Sequence, residues 1–181
     1  RRQGYGVALA TLQFVELPLA PGRNLRIYTT QIDGDMQSRH QLAQVLMDCV
    51  QGGASVSFMW PLPLHRAQAF WRGVAESVAR GERLLLLARD GEGAVVGTVQ
   101  LVLDMPDNQP HRADVAKMLV HRRARRQGVA ARLMAAVEDA ARAERKSVLV
   151  LDTVTGGDAE RLYARQGWQV VGTVPNYALM P

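Results

Sequence analysis

The residues best suited to chemistry lie together where a predicted strand gives way to a helix. In MLVHRRARRQGVAARLM, Gly128 and the small Ala130 stand at the start of an amphipathic helix, and arginines occupy positions 122, 123, 125, 126 and 132. The first N–H groups of a helix lack internal partners, and the helix dipole makes that end positive. Guanidinium groups pair readily with phosphate oxygens. The segment therefore predicts an anion site, which a pyrophosphate would suit.

A plainer interpretation of the same arginines remains open. A basic run is typical of a solvated surface or of a nucleic-acid contact. The glycine turn, the helix that follows it and the lack of aromatic residues for base stacking beside the arginines favour the anion site.

The rest of the chain predicts one α/β domain that holds this junction in place. Alternating, β-branched and aromatic residues predict strands at 24–31, 84–89, 94–103, 113–120, 147–153 and 168–174. Apolar residues at helical spacing predict helices over 42–50, 67–78, 133–141 and 159–165. The order β-α-α-β-β-β-α-β-α-β predicts a mixed sheet covered by helices. We expect residues 1–22 to be an N-terminal tail and residues 23–181 to be the domain.

Composition narrows the classes of partner. The 181 residues suffice for one well-cored domain, and a net charge of +5 favours an anionic partner. The single Cys49 leaves no internal disulfide, and the four histidines show no spacing typical of metal ligands. No apolar run is long enough to span a bilayer. We expect a cytoplasmic protein that binds no metal and no membrane.

The spacing Arg125-x-x-Gly128-x-Ala130 resembles the acetyl-CoA signature of the Gcn5-related N-acetyltransferases, the GNAT family. The order of elements is similar from about residue 24 to residue 177, although the family usually has glycine in place of Ala130. The segments GGASVSFM, QAFWRGVAESVARG and VPNYALMP are similar to the tabtoxin resistance acetyltransferase branch. The resemblance implies a mixed, mostly antiparallel sheet flanked by helices, with acetyl-CoA as co-substrate.

The resemblance also implies which residues hold acetyl-CoA. In the family the loop before the helix binds the pyrophosphate, and the preceding strand splays from its neighbour so that its backbone pairs with the pantetheine amides. Carried over to this chain, the loop residues are Arg125, Arg126, Gln127, Gly128, Val129, Ala130 and Ala131, and the strand residues are Met118 and Val120.

Three further residues match the needs of direct acetyl transfer, which requires a neutral amine and a proton for the departing thiolate. Tyr163, in AERLYARQGW, resembles the family's tyrosine near the cofactor sulfur and is the candidate general acid. Asp114 stands in the register of the family's general-base carboxylate. Asp152, at the end of a predicted buried strand, is placed to hold the substrate ammonium or relay its proton. Packing for Tyr163, a salt bridge for Asp114 and loop capping for Asp152 are the alternatives.

The acceptor side depends on the resemblance to the branch. It places Ser55, Phe58 and Met59 beside the acceptor pocket, with a packed loop as the alternative. Gln100 either faces that pocket or is an exposed strand residue. We expect acetylation of a small-molecule amine, with an amino-acid-like toxin or antibiotic among the candidate acceptors. Acetylation of a protein amine and a non-catalytic CoA- or nucleic-acid-binding module are the alternatives.

One expected strand has no counterpart after the segment VPNYALMP. Relatives continue from this point into a final strand beside the strand 147–153. An unpaired strand would leave backbone groups without partners. We expect the missing strand to come from residues beyond Pro181 or from another subunit, as in a homodimer.

Overall fold

The computed structural model of the protein describes residues 2–11, 25–32 and 35–181. These residues form a mixed α/β fold, which confirms the fold class predicted from the sequence. The elements in chain order are β1 (Arg2–Thr11), β2 (Arg26–Thr29), α1 (Met36–Gln51), α2 (Leu64–Ala79), β3 (Arg83–Arg89), β4 (Val95–Val102), β5 (Arg112–Val120), α3 (Val129–Ala143), β6 (Val148–Val154), α4 (Asp158–Arg165) and β7 (Gln169–Leu179).

The strands form one seven-stranded sheet in the order β2-β3-β4-β5-β6-β1-β7. All neighbours are antiparallel except β5 and β6. Because successive strand residues point to opposite faces, Leu85 and Leu87 pack with α1 and α2, whereas Leu86 and Val99 pack with α3. The helices therefore cover both faces of the sheet.

The first strand, β1, occupies the position beside β6 for which the sequence analysis found no strand. Residues 2–11, within the segment expected to be a tail, pair antiparallel with β6 on one side and with β7 on the other. Both neighbours present backbone groups that need partners, and β1 supplies them. The strand that we expected from beyond residue 181 or from another subunit is formed here by the same chain. Residues 12–24 of the expected tail lie outside the described residues.

The expectations about membrane and metal binding concern the helices and the possible metal ligands. Across the described ranges, no helix has the length and apolar character needed to cross a membrane. The same ranges contain no group of three or more histidine, cysteine, aspartate and glutamate side chains arranged to hold a metal ion.

The parallel pair β5 and β6 separates soon after it begins. Pairing is limited to three positions, from Arg112 opposite Val148 to Asp114 opposite Val150. Beyond them β5 continues along β4 as far as Val120, while β6 continues along β1. A cleft therefore opens between the two strands and widens toward the start of α3.

Candidate active site

Gly128 shapes the turn that leads from the cleft into α3. Its φ of +78° lies in the left-handed region, which favours glycine, and it forms the N-cap of the helix. A Cβ atom built on Gly128 would meet no atom within 4 Å, so the space before the turn is open. No side chain caps the helix. The first N–H groups of α3 therefore have no capping side chain, which leaves them available to an anion.

Most arginines of the junction are already engaged. Arg122 donates from its backbone N–H and its Nε to Asp48, each at 2.8 Å. Arg123 forms a 3.3 Å ion pair with Asp90.

Arg125 donates its Nε to the carbonyl of Val120 at 3.2 Å, and Arg132 donates to the carbonyl of Leu25 at 2.9 Å. The arginines thus fasten the loop to the rest of the fold, a role that the sequence did not indicate.

Arg126 is the most available cation of the loop. Its side chain is 86% exposed, and its 3.2 Å ion pair with Asp158, itself 71% exposed, lies at the surface. Such exposed pairs contribute little and exchange easily. Arg126 can therefore turn toward an anion held at the helix N-terminus.

The carboxylate of Asp48 fixes the approach to the loop. Burial acts to raise its pKa, but the hydrogen bonds from Arg122 outweigh burial and hold the pKa below the usual range of an aspartate. Asp48 therefore stays ionised and ties α1 to the end of β5.

The two predicted strand residues, Met118 and Val120, border the cleft at the end of β5. Met118 is partly buried against the core under α3. The carbonyl of Val120 accepts hydrogen bonds from Arg125 and, at 3.4 Å, from the thiol of Cys49. The splay that the resemblance implied is present, and the pairing of these residues with pantetheine stays a prediction.

Asp152 lies inside β6 rather than at its end. The sequence placed it at the strand terminus, but β6 runs to Val154 because β1 pairs alongside, with Val7 opposite Asp152. Asp152 is exposed and has no hydrogen-bond or ion-pair partner in the described part of the chain. A free carboxylate therefore stands on the wall of the cleft.

The charge of Asp152 acts on four neighbouring titratable groups, Tyr5, Asp114, Lys117 and Tyr163. These groups come from three separate elements, β1, β5 and α4. The charge of Asp152 thus reaches both other candidate catalytic residues, Asp114 and Tyr163, which the sequence could only place on separate elements.

Asp114 is partly buried and has one oxygen without a partner. Its Oδ2 lies 3.5 Å from Nη2 of Arg112, while its Oδ1 is buried and makes no hydrogen bond to the described residues. Burial raises the pKa of this carboxyl despite Arg112, and the nearby Asp152 adds to the rise. The salt bridge considered as an alternative exists, but it leaves a basic oxygen unused.

Tyr163 lies on α4, with only 7% of its surface exposed, and its ring packs at 6.0 Å from that of Trp168. Burial, with a smaller contribution from Asp152, raises the pKa of the phenol well above its usual range. Its hydroxyl has no hydrogen-bond partner among the described residues. Tyr163 is therefore both a packed aromatic residue and a protonated donor.

The loop between α1 and α2, residues 52–63, crosses the face of the sheet near Asp152. The carbonyl of Ser55 accepts a hydrogen bond from the hydroxyl of Tyr5 at 3.3 Å. The hydroxyl of Ser55 donates to the carbonyl of Leu179 at 3.4 Å. Farther along, Phe58 packs edge-on against Phe70. The loop is packed, as the alternative interpretation had it, and it also walls the face where the carboxylates lie.

Gln100 is fully buried, with 0% of its surface exposed, so the exposed alternative is wrong. It lies on the interior strand β4, between β3 and β5.

Two residues near the site were missed by the sequence analysis. Lys117 and Arg83 lie on the same face as Asp152, and neither forms an ion pair with a described residue. The sequence contained an indication for Lys117. If β5 alternated regularly from Ala113 and Val115, the charged side chain of Lys117 would be buried under α3. A bulge in β5, with φ of +51° at Lys117, turns it to the opposite face.

Comparison with known proteins adds an independent finding. The sequence profile of the acetyltransferase (GNAT) family matches residues 39–168. An uncharacterized N-acetyltransferase in the hisH-hisA intergenic region of Azospirillum brasilense is 34% identical over 115 residues, which is 62% of this chain and 66% of that protein. The match thus spans slightly less than two thirds of that relative's length.

Solved structures share the fold. A GCN5-related N-acetyltransferase from Kribbella flavida superposes with a TM-score of 0.67 at 23% identity, covering 83% of this chain and 85% of that one. The ribosomal-protein-alanine N-acetyltransferase from Brucella melitensis gives 0.64 at 21% identity, covering 81% and 86%. An N-acetyltransferase from Staphylococcus aureus Mu50 gives 0.67 at 16% identity, covering 82% and 86%.

Proposed function

Because the chain belongs to the acetyltransferase (GNAT) family, we propose that it transfers the acetyl group of acetyl-CoA to the amine of a small molecule by direct attack. One observation carries the proposal. The strand β5 leads from the cleft into the open turn at the start of α3, and the charge of Asp152, on one strand of that cleft, acts on Asp114 of the other strand and on Tyr163 of α4.

The residues of the loop fit a pyrophosphate. The first turn of α3 has no capping side chain and the space at Gly128 is open, and the side chain of Arg126, two residues before Gly128, is exposed. The backbone of Gln127–Ala131 would bind the pyrophosphate, and Met118 and Val120 would border the pantetheine. Acetyl-CoA supplies the thioester whose carbonyl carbon the amine attacks.

The carboxylates manage the proton of the acceptor. An ammonium must lose a proton before it can attack a carbonyl, and a carboxylate with a raised pKa is a better base than an ordinary one. Asp114 has such a pKa and an unused Oδ1, and Asp152 offers a second carboxylate on the facing strand. We therefore assign the ammonium and its proton to these two groups together, as a coupled pair.

Tyr163 supplies the proton for the departing thiolate. Its raised pKa keeps the phenol protonated at neutral pH, and its hydroxyl has no competing partner among the described residues. A thiolate that gains a proton is a better leaving group, so donation from the Tyr163 oxygen favours product formation.

The acceptor is proposed to be small because the site is walled. The loop 52–63 is fastened to β1 and β7 through Ser55, and it narrows the face beside Asp152. The similarity of this loop and of the VPNYALMP segment to the tabtoxin resistance branch supports an amino-acid-like acceptor. We place the enzyme in the cytoplasm, where acetyl-CoA is available.

Acetylation of a protein amine is the second candidate. The observation that favours it is the shared fold with the Brucella ribosomal-protein-alanine N-acetyltransferase. A nucleic-acid-binding module is disfavoured because Arg122 and Arg123 are held by the carboxylates of Asp48 and Asp90.

Two measurements test the proposal. Acetyl-CoA should raise the melting temperature in a concentration-dependent way, and duplex DNA should not, because only a ligand of the native state stabilises it. Thiol release should then follow the addition of small amines. Stabilisation by DNA alone, or CoA binding without thiol release for any small amine, would contradict the proposed reaction.

A further inference from the structure

Arg83 and Lys117 are two partly buried cations with no described carboxylate in direct contact. Nε and Nη1 of Arg83 donate to neutral oxygens, those of Ser77 at 2.8 Å and Gln100 at 2.7 Å. Nζ of Lys117 donates to the hydroxyl of Ser57 at 3.0 Å. Within the described ranges, no carboxylate oxygen lies within 4 Å of either cation. Partly buried charges normally carry a partner, so this pair indicates a missing anion.

The positive charge of Arg83 acts unfavourably on the positive charge of Lys117. Burial lowers the pKa of both groups, and the charge of Arg83 lowers the pKa of Lys117 further. The charges of Glu82 on Arg83 and of Asp152 on Lys117 act in the opposite direction. A bulge with a positive φ at Lys117 brings its side chain to this face. An anion between the cations would remove the repulsion.

Gln100 holds the guanidinium in position. Its Oε1 accepts from Arg83, and its Nε2 is buried without any partner in the described chain. A fully buried amide that spends its oxygen on an arginine and leaves its nitrogen unpaired is costly. This cost is expected where the orientation of Arg83 serves a ligand rather than the fold.

The anion does not belong to the pyrophosphate of acetyl-CoA. In the sheet, Arg83 lies opposite Val102, which lies opposite Asp114. The loop before α3 begins after Val120, at the other end of β5. Six residues of strand separate the level of Arg83 from Val120, and three separate Lys117 from it, or about 20 Å and about 10 Å. The helix N-terminus and these cations are therefore separate sites.

We propose that the acceptor carries a carboxylate, which binds to Lys117 and Arg83 while its amine binds at Asp114 and Asp152. This inference rests on the proposed acetyl transfer. It assigns the substrate class as amines that bear a carboxylate, and it makes Lys117 and Arg83 the residues that select them. Asp152 acts electrostatically on Lys117 and on Asp114, so opposite charges of one zwitterion find opposite partners.

The test compares matched acceptors. The twenty common amino acids and their carboxamides are assayed by thiol release with saturating acetyl-CoA. We expect turnover of at least one amino acid, with kcat/KM roughly 10- to 100-fold above that of its carboxamide, as for a lost charge-assisted hydrogen bond. In Lys117→Met that preference should vanish through a higher KM, and Lys117→Arg should restore part of it.

Lys146→Met is the matched control, because Nζ of Lys146 donates to the carbonyl of Pro110 and contacts neither carboxylate. It should keep the wild-type preference. Thermal shift of the CoA complex with the same two panels provides a readout without turnover, in which an amino acid should stabilise wild type and not Lys117→Met.

The outcomes separate the two proposals. Equal turnover of acids and carboxamides, or an unchanged preference in a folded Lys117→Met, overturns the carboxylate site and leaves acetyl transfer intact. If peptides assayed in parallel are turned over and neither panel is, the small-molecule acceptor is overturned. If no amino acid is turned over and none stabilises the CoA complex, the carboxylate site is overturned.

Discussion

Gly128 is the position where backbone strain and cofactor contact can be separated experimentally. Its φ of +78° is left-handed, and an added Cβ would touch nothing within 4 Å. A side chain there costs about 1–2 kcal/mol for the conformation alone. Gly81, just after α2, has a φ of +74° and equally empty surroundings, but it lies far along the chain from the loop. Gly81 is therefore a matched control for strain.

The two glycines should respond alike in stability and differently in binding. Gly128→Val and Gly81→Val should each lower the free energy of unfolding by about 1–2 kcal/mol. The valine at 128 would also stand over the first N–H groups of α3 and displace the pyrophosphate. Hydrogen bonds to a charged group contribute roughly 1.5–3 kcal/mol, so the Kd for acetyl-CoA should rise roughly 10- to 150-fold in Gly128→Val.

Urea unfolding measures the strain, and calorimetric titration with acetyl-CoA measures the affinity. Gly128→Ala adds a useful intermediate, since its single methyl group brings most of the strain with little bulk. Wild-type affinity in a folded Gly128→Val would refute the cofactor loop. Equal loss of affinity in Gly81→Val would show that binding follows stability and would refute it as well.

The remaining predictions concern the cleft. Tyr163→Phe should lower kcat with the Kd for acetyl-CoA unchanged, because only the hydroxyl is lost; an unchanged rate with a chemistry-limited substrate would leave Tyr163 a packing role. Asp114→Asn and Asp152→Asn should each lower kcat/KM, and the double variant should be less than additive; full turnover in all three folded variants would remove both from the mechanism. Burial raises the pKa of Asp114, so kcat/KM should fall as the pH is lowered, with a midpoint above about 3.9. Asp114→Asn should shift that midpoint, and an unshifted midpoint would assign the base to another group.

Local patterns predicted most of the fold. The helical spacing of Leu42, Leu46 and Val50 located α1, and the turn residues at 90–93 located the hairpin between β3 and β4. Gly128 marked the turn into α3 because few other residues adopt its φ. These features depend on neighbours in the sequence, which a single chain displays directly.

The features that escaped prediction depend on residues distant in the sequence. Residues 2–11 pair with β6 and β7, which lie near the other end of the sequence, and no local pattern predicts such a partner. The bulge that turns Lys117 and the full burial of Gln100 both follow from how β4 and β5 pair. The carboxylates that hold Arg122 and Arg123 likewise come from other elements.

The N-terminal strand links these distant features into one site. β6 carries Asp152 and loses its pairing with β5 after three positions. β1 pairs along the other edge of β6 and supports it there. On the same strand, Tyr5 donates to the carbonyl of Ser55 and packs at 5.0 Å from the ring of Tyr177. One strand thus braces both the carboxylate wall of the cleft and the loop that covers it. The acceptor side of the site consequently depends on a segment about 150 residues away from Asp152 in the sequence, whereas the loop before α3 is held by α1 through Asp48 and is independent of β1.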